Sequence, residues 1–244
     1  MMPLARPQRT AHTAIKILGE MKLVKEYFAA LFCGAFLAAG SSALAEGVAV
    51  GPQIGTLGPG IQAAAYLTPN LNLRAVGSYV GLGFHGRVDT TDYNADMRMS
   101  SMQGLIDWHP TDGNFRLTAG LVLNNNKITF NAKPSDPTTT IGDNEYPSSD
   151  VGELQGKATF DKIAPYIGIG YGNAVAEKTS LSFSLDVGVM YQGSPHVSLA
   201  ATGPAAQNPA FQSDLAKEQQ DYQEVADKFK FYPVISIGIC YQFW

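Results

Sequence analysis

The chain has 244 residues, 17 Lys and Arg against 21 Asp and Glu, a net charge of −4 and a mean hydropathy of −0.04. No basic patch marks it for nucleic acid. No stretch after Ala45 is long and apolar enough for a membrane helix, but an outer-membrane barrel shares that average because its lipid-facing and lumen-facing residues cancel.

Residues 1–20 read as a leader or an unused upstream start. From Met21 the chain carries Lys22 and Lys25, an apolar run from Tyr27 to Ala39, and Ala43-Leu44-Ala45. This is the pattern of a secretory signal peptide over 21–45, with Glu46 as the first mature residue. One cysteine, Cys240, then remains, so no internal disulfide is expected, and its phase puts it on an inner face as an inert thiol.

Alternating segments follow, with the period of strands. Val48 to Gly55 and Gly60 to Leu67 flank Thr56-Leu57-Gly58-Pro59. A turn at Thr68-Pro69-Asn70 leads to a strand from Leu71 to about Val88. Met97 to Trp108 and Phe115 to Thr129 flank Pro110-Thr111-Asp112-Gly113, a composition suited to tight reversal. Ile163 to Tyr171, Ser180 to Gln192 and Phe231 to Trp244 complete the set, the last ending on Tyr241-Gln242-Phe243-Trp244. Terminal aromatics behind an apolar face suit a spanning strand whose rings sit at the lipid boundary.

The connections alternate between short turns and the polar stretches 89–95, 131–155 and 198–230. Barrels of the outer membrane place tight turns in the periplasm and long loops outside. Working back from a periplasmic C-terminus, parity requires Val48–Leu67 to be two strands, which makes eight. The expected fold is therefore an all-β, eight-stranded antiparallel transmembrane barrel spanning 46–244. Asn208-Pro209 reads as a cap and a first helical position, predicting an amphipathic helix from Pro209 to about Phe229 in the last loop. Phe211, Leu215, Tyr222, Val225, Ala226 and Phe229 fall near one of its faces.

The same alternation predicts the lining of the lumen: Arg74, Asp107, Arg116, Asn124, Tyr166, Asp186 and Gln192, with Gln53 and Gln62. Trp108 and Phe115 are expected opposite each other across the 110–113 turn, in an aromatic girdle with Tyr241, Phe243 and Trp244. In that register Asp107 faces Arg116. An eight-stranded interior holds only side chains or one small ligand, so two readings stand: a sealed polar core, or a narrow path for a zwitterion whose carboxylate meets Arg74 or Arg116 and whose amine meets Asp107 or Asp186. Acidic residues Asp136, Asp143, Glu145, Asp150 and Glu153 in one loop would concentrate cations.

Ile163-Ala164-Pro165-Tyr166-Ile167-Gly168, Gly193-Ser194-Pro195-His196-Val197-Ser198-Leu199, the acidic helical loop and the aromatic-Trp terminus are similar to the CarO-type outer-membrane proteins. The resemblance covers most of the mature chain in order and implies a small Gram-negative barrel, implicated in uptake of ornithine and other basic amino acids and in carbapenem entry. The segment before the first strand is shorter here and the long loops differ, so a substrate does not transfer.

The expected partners are outer-membrane lipid, a small-molecule solute, and the barrel-assembly machinery acting on the C-terminal strand; the protein is expected to be a monomer, with no nucleic acid bound. His196 and Ser198 share a face, as a hydrolase could use, but no orienting acid stands near them in sequence. His85 and His109 lack partners at metal-ligand spacing. No catalytic residue, metal or cofactor is expected. A non-conducting structural or surface-contact protein is the alternative to the channel, and a lipid hydrolase is a remote third.

Overall fold

In a computed structural model the described residues are 47–88, 91–111, 113–175 and 181–243. The signal segment and Trp244 fall outside them.

Eight strands close a ring: β1 (Val48–Gly55), β2 (Gly58–Thr68), β3 (Leu71–Val88), β4 (Thr91–Trp108), β5 (Phe115–Asn124), β10 (Ile163–Tyr171), β11 (Leu181–Tyr191) and β13 (Phe231–Gln242). Each neighbouring pair is antiparallel, and the β4–β5 and β1–β13 pairings leave no free edge around the ring. Splitting the first alternating segment at Thr56-Leu57 is what makes the count even, because antiparallel closure needs each strand to run against both neighbours. Among the described residues no helix is long and apolar enough to cross a membrane.

Five more strands and two helices build on the ring. They are β6 (Lys127–Lys133), the hairpin β7 (Thr138–Ile141) and β8 (Asn144–Pro147), the single turn α1 (Ser148–Val151), β9 (Leu154–Thr159), β12 (His196–Ala201) and α2 (Pro209–Ala226). Above Ser100, β4 changes partner from β5 to β6, and β6 continues to β9 and β12. The ring thus has one end with short turns and another where part of the wall rises into a sheet.

This corrects the expected loops. Residues 91–95 are strand, 131–155 is largely β6, β7, β8, α1 and β9, and 198–201 belongs to β12. The strand expected from Phe115 to Thr129 breaks at Asn125-Asn126, where Asn126 Oδ1 accepts from Ser100 N (3.0 Å) and Asn124 Oδ1 from Asn126 N (3.2 Å). Asparagine side chains satisfy the backbone locally where a ladder is interrupted.

Helix α2 starts as its sequence dictates, with Asn208 Oδ1 accepting from Ala210 N at 2.9 Å. It ends at Ala226 rather than Phe229, the last amides turning to tighter bonds such as Phe229 N to Ala226 O, 2.9 Å. Phe211 and Leu215 pack with Ile141 and Val151, while Tyr222, Val225 and Phe229 stay exposed, against the expectation of one apolar face. The C-terminal half docks through polar groups and through the Tyr222 ring, 6.4 Å from that of Phe130. Gln223 Oε1 accepts from Val197 N (3.0 Å) and Gln219 Oε1 from Leu199 N (3.1 Å). A helical i, i+4 rise of about 6 Å nearly matches two strand steps of about 6.6 Å, so two glutamines cover the edge of β12 that would otherwise invite a further strand.

Candidate functional site: the ion-paired lumen

Inside the ring, residues of alternating phase project inward. Arg74, Asp107, Arg116, Asn124, Tyr166, Asp186 and Gln192 all lie there, each buried. They occupy different levels. Four of them meet in a closed circuit near the short-turn end. Arg74 Nε and Nη2 grip Asp107 at 2.7 and 2.9 Å, and its Nη1 and Nη2 grip Asp186 at 3.0 Å each. Arg116 completes the circuit, with Nη2 at 2.6 Å from Asp186 Oδ1 and Nε at 3.6 Å from Asp107 Oδ1. Thr118 Oγ1 donates to Asp107 at 2.6 Å, Ser236 Oγ to Asp186 at 3.5 Å, and Arg116 Nη1 to Gly172 O.

Two cations and two anions leave the circuit neutral, and bidentate guanidinium–carboxylate geometry is the strong form of such bonds. Because Arg74 rises from β3 and Asp186 from β11, the circuit ties opposite walls together. Arg74 is the hub, a role the sequence reading spread over two arginines.

The pairing register explains why. Trp108 lies opposite Leu117 and Asp107 opposite Thr118, so neither Trp108–Phe115 nor Asp107–Arg116 is a directly opposed pair. The 109–114 connection is wider than a tight hairpin because His109 still pairs with Asn70: His109 N donates to Asn70 O (2.8 Å), and Asn70 Nδ2 to His109 O (3.0 Å). Phe115 and Arg116 therefore lie against Tyr171 and Gly170 of β10. Gly170 stands directly between Arg116 and Asp186 in register, and a Cβ there would come within 2.7 Å of Arg116 Nε and 2.9 Å of Asp186 Oδ1. A glycine in a strand marks such a close approach. The signal was present in the Ile-Gly-Ile-Gly run but needed the register to be read.

Other layers fill the space above and below. Toward the short-turn end, Ala49, Ala64, Ala174, Val175 and Cys240 cluster with Tyr66, and Asn72 Nδ2 holds Asn173 Oδ1 at 2.9 Å. Residues 173–175 thus fold into that mouth. Toward the other end, Leu57, Val76, Leu105, Val122, Tyr166, Met190 and Val234 form an apolar layer. Beyond and between these layers, Gln62 Oε1, Ser78 Oγ, Ser101 Oγ, Asn124 Nδ2 and Gln192 Oε1 have no protein partner.

On the outside, Trp108, Phe115, Tyr171, Tyr241 and Phe243 are exposed at the short-turn rim, and Tyr241 and Phe243 stack edge to face at 5.3 Å. A groove of about 760 Å3 between Ile106, Leu117, Ile167, Ile169 and Val187 opens on this apolar surface, not on the lumen. Elsewhere, Asp161 Oδ1 comes within 3.7 Å of His196 Nε2, so an acid absent from the local sequence is supplied by the fold. Ser198 Oγ is directed to Lys157 O at 3.5 Å, and His196 and Asp161 are both largely open to solvent.

No protein-family model and no curated sequence matches the chain. Among solved structures, the crystal structure of Acinetobacter baumannii CarO2 superposes with a TM-score of 0.52 at 20% identity, covering 81% of this chain and 98% of that one. That of Acinetobacter baumannii CarO gives 0.51 at 20% identity, covering 82% and 99%. The likeness is one of fold: the chain folds, like those outer-membrane proteins, as an antiparallel β-barrel closed by eight strands and greasy outside.

Proposed function

We propose that this protein is a sealed outer-membrane barrel that carries a rigid sheet-and-helix platform, and that its role is structural or surface contact rather than catalysis or open diffusion. One observation carries this reading: the four charges best placed to meet a zwitterion are already paired with one another across the lumen. A solute would have to break two bidentate grips in a confined space, where removing one partner from a buried pair costs about 3–5 kcal/mol. In this reading residues 21–45 direct export, the short turns face the periplasm, and the platform faces outward. The non-catalytic part rests on Ser198, whose hydroxyl is turned to a backbone carbonyl.

A narrow path for small basic or zwitterionic amino acids is the second reading, favoured by the partnerless polar atoms of Gln62, Ser78, Ser101, Asn124 and Gln192. Planar-bilayer conductance and liposome swelling with ornithine and glycine separate the two. The sealed barrel gives no flux above empty membranes. Sustained cation-selective conductance would overturn it.

A further inference from the structure

The outer surface of the wall changes character at one level. On β5 the outward residues Leu117, Leu121 and, on β10, Ile163 and Ile167 are apolar and exposed. Past Asn125 the same face carries Lys127, Thr129 and Asn131, and on β4 it carries Arg98 and Asp96. Arg98 lies directly opposite Lys127, while Lys127 lies opposite Thr159 of β9 and Lys157 opposite Thr129, which sets Lys157 on the diagonal from Lys127. Three cations thus adjoin across three neighbouring strands, immediately beyond the lipid-facing belt.

Like charges directly opposed in a sheet repel. Burial, then Lys157 and then Arg98, lowers the proton affinity of Lys127. The carboxylates nearest the cluster on this face are Asp96, two residues from Arg98 and opposite Thr129, and Asp161, which faces His196; Asp92 stands further along β4, opposite Lys133. Among the described residues none of the three cations is in an ion pair. Three cations beside one neighbouring carboxylate, Asp96, leave this patch net positive among the described residues at the edge of the apolar belt.

We propose that Arg98, Lys127 and Lys157 form a seat for the net-anionic phosphates of a lipid A headgroup at the edge of the apolar belt nearest the platform. The proposal needs the barrel to span a membrane, but it does not depend on whether the lumen conducts. A phosphate there bridges strands β4, β6 and β9, and its acyl chains continue down the apolar face of β5 and β10.

Native mass spectrometry of the full protein in non-ionic detergent, titrated with lipid A or with phosphatidylcholine, tests it. One lipid A is expected to be retained in preference to phosphatidylcholine. The triple variant Arg98→Gln, Lys127→Gln, Lys157→Gln should lose on the order of a hundredfold in affinity, the size expected for three cations near a lipid surface. Lys228→Gln with Lys230→Gln, on the connection to β13, should leave binding unchanged. A heat-modifiability gel confirms the fold; should the triple variant fail it, Lys157→Gln alone is expected to lose roughly fivefold. Retention of lipid A by the folded variants to within about twofold of wild type, equal binding of phosphatidylcholine, or displacement by millimolar inorganic phosphate would each overturn the proposal. Loss of membrane insertion altogether would instead overturn the barrel reading beneath it.

Discussion

The ring and the platform share β4, yet they turn their apolar residues to opposite sides. Within the ring, β4 turns Trp108, Ile106 and Met102 outward and Asp107, Gln103 and Ser101 inward; beyond Ser100 it turns Arg98, Asp96 and Asn94 outward and Met97 and Ala95 inward. The β5–β6 line repeats the reversal: Leu117, Leu121 and Leu123 share a face with Lys127 and Thr129, while Arg116 and Thr118 share one with Ile128 and Phe130. The pleat never slips, because the residue numbers of paired positions keep one sum through the break. The solvent changes instead. Lipid outside demands an apolar exterior and tolerates a satisfied polar lumen, whereas water outside restores the ordinary arrangement with grease beneath the helix.

The largest expected effect tests what holds the ring. Arg74→Ala leaves Asp107 and Asp186 sharing Arg116 alone and should cost about 3–5 kcal/mol, seen as a lower heat-modifiability transition on gels; Arg116→Ala should cost less, since Asp107 keeps its bidentate partner. Phe211→Ala removes a fully buried ring that meets Tyr146 edge to face at 4.9 Å. A loss of about 3 kcal/mol or more is expected, confined to the platform: hydrogen exchange should rise over α2 and β7–β8 while the barrel transition holds. If the two changes produced the same unfolding profile, the two regions would be one cooperative unit.

Smaller effects sharpen the contrast. Gly170→Leu should separate Arg116 from Asp186 and destabilise the ring by about 1–3 kcal/mol through overpacking, without altering exchange in α2. Replacing Gln219 and Gln223 together by Ala should cost roughly 1–2 kcal/mol at the β12 edge and promote dimerisation through it, read by crosslinking.

The smallest effect is pH-dependent. Asp214 accepts from Tyr146 Oη at 2.6 Å and Asn144 Nδ2 at 2.7 Å, which hold its carboxyl below the usual carboxylate range. Its contribution is present above the unfolded value of about 3.9 and fades as pH falls through the lower folded value. Exchange over β7–β8 should therefore rise below that range, and Asp214→Asn should remove the dependence.

The barrel itself was legible because alternation is written into each strand and parity forces an even count, which is what divides Val48–Leu67 in two; the Asn208 cap and the inward phase of Arg74 and Asp186 are local facts. The circuit was not, because it depends on which residues lie opposite, and the pairing of His109 with Asn70 moves β4 against β5 by two positions. The platform was hidden for a different reason. Its strands are polar on the face that the barrel strands keep apolar, so a reading tuned to lipid-facing alternation takes them for loop. Val225 misled in the same way, since the helix docks its second half through Gln219 and Gln223, with the Tyr222 ring against Phe130, and leaves Val225 exposed.

The level at which the exterior turns polar also fixes a thickness. From Phe115 to Leu123 the outward side of β5 advances eight residues, about 27 Å along the strand at 3.4 Å each, or near 20 Å along the normal at a tilt of roughly 40°. On β13 the outward apolar residues run further, from Phe231 to Phe243, about 41 Å along the strand at 3.4 Å each. The belt is therefore uneven around the ring, and a bilayer matched to β13 would have to thin beside β5 or let Lys127 and Arg98 stretch toward the surface.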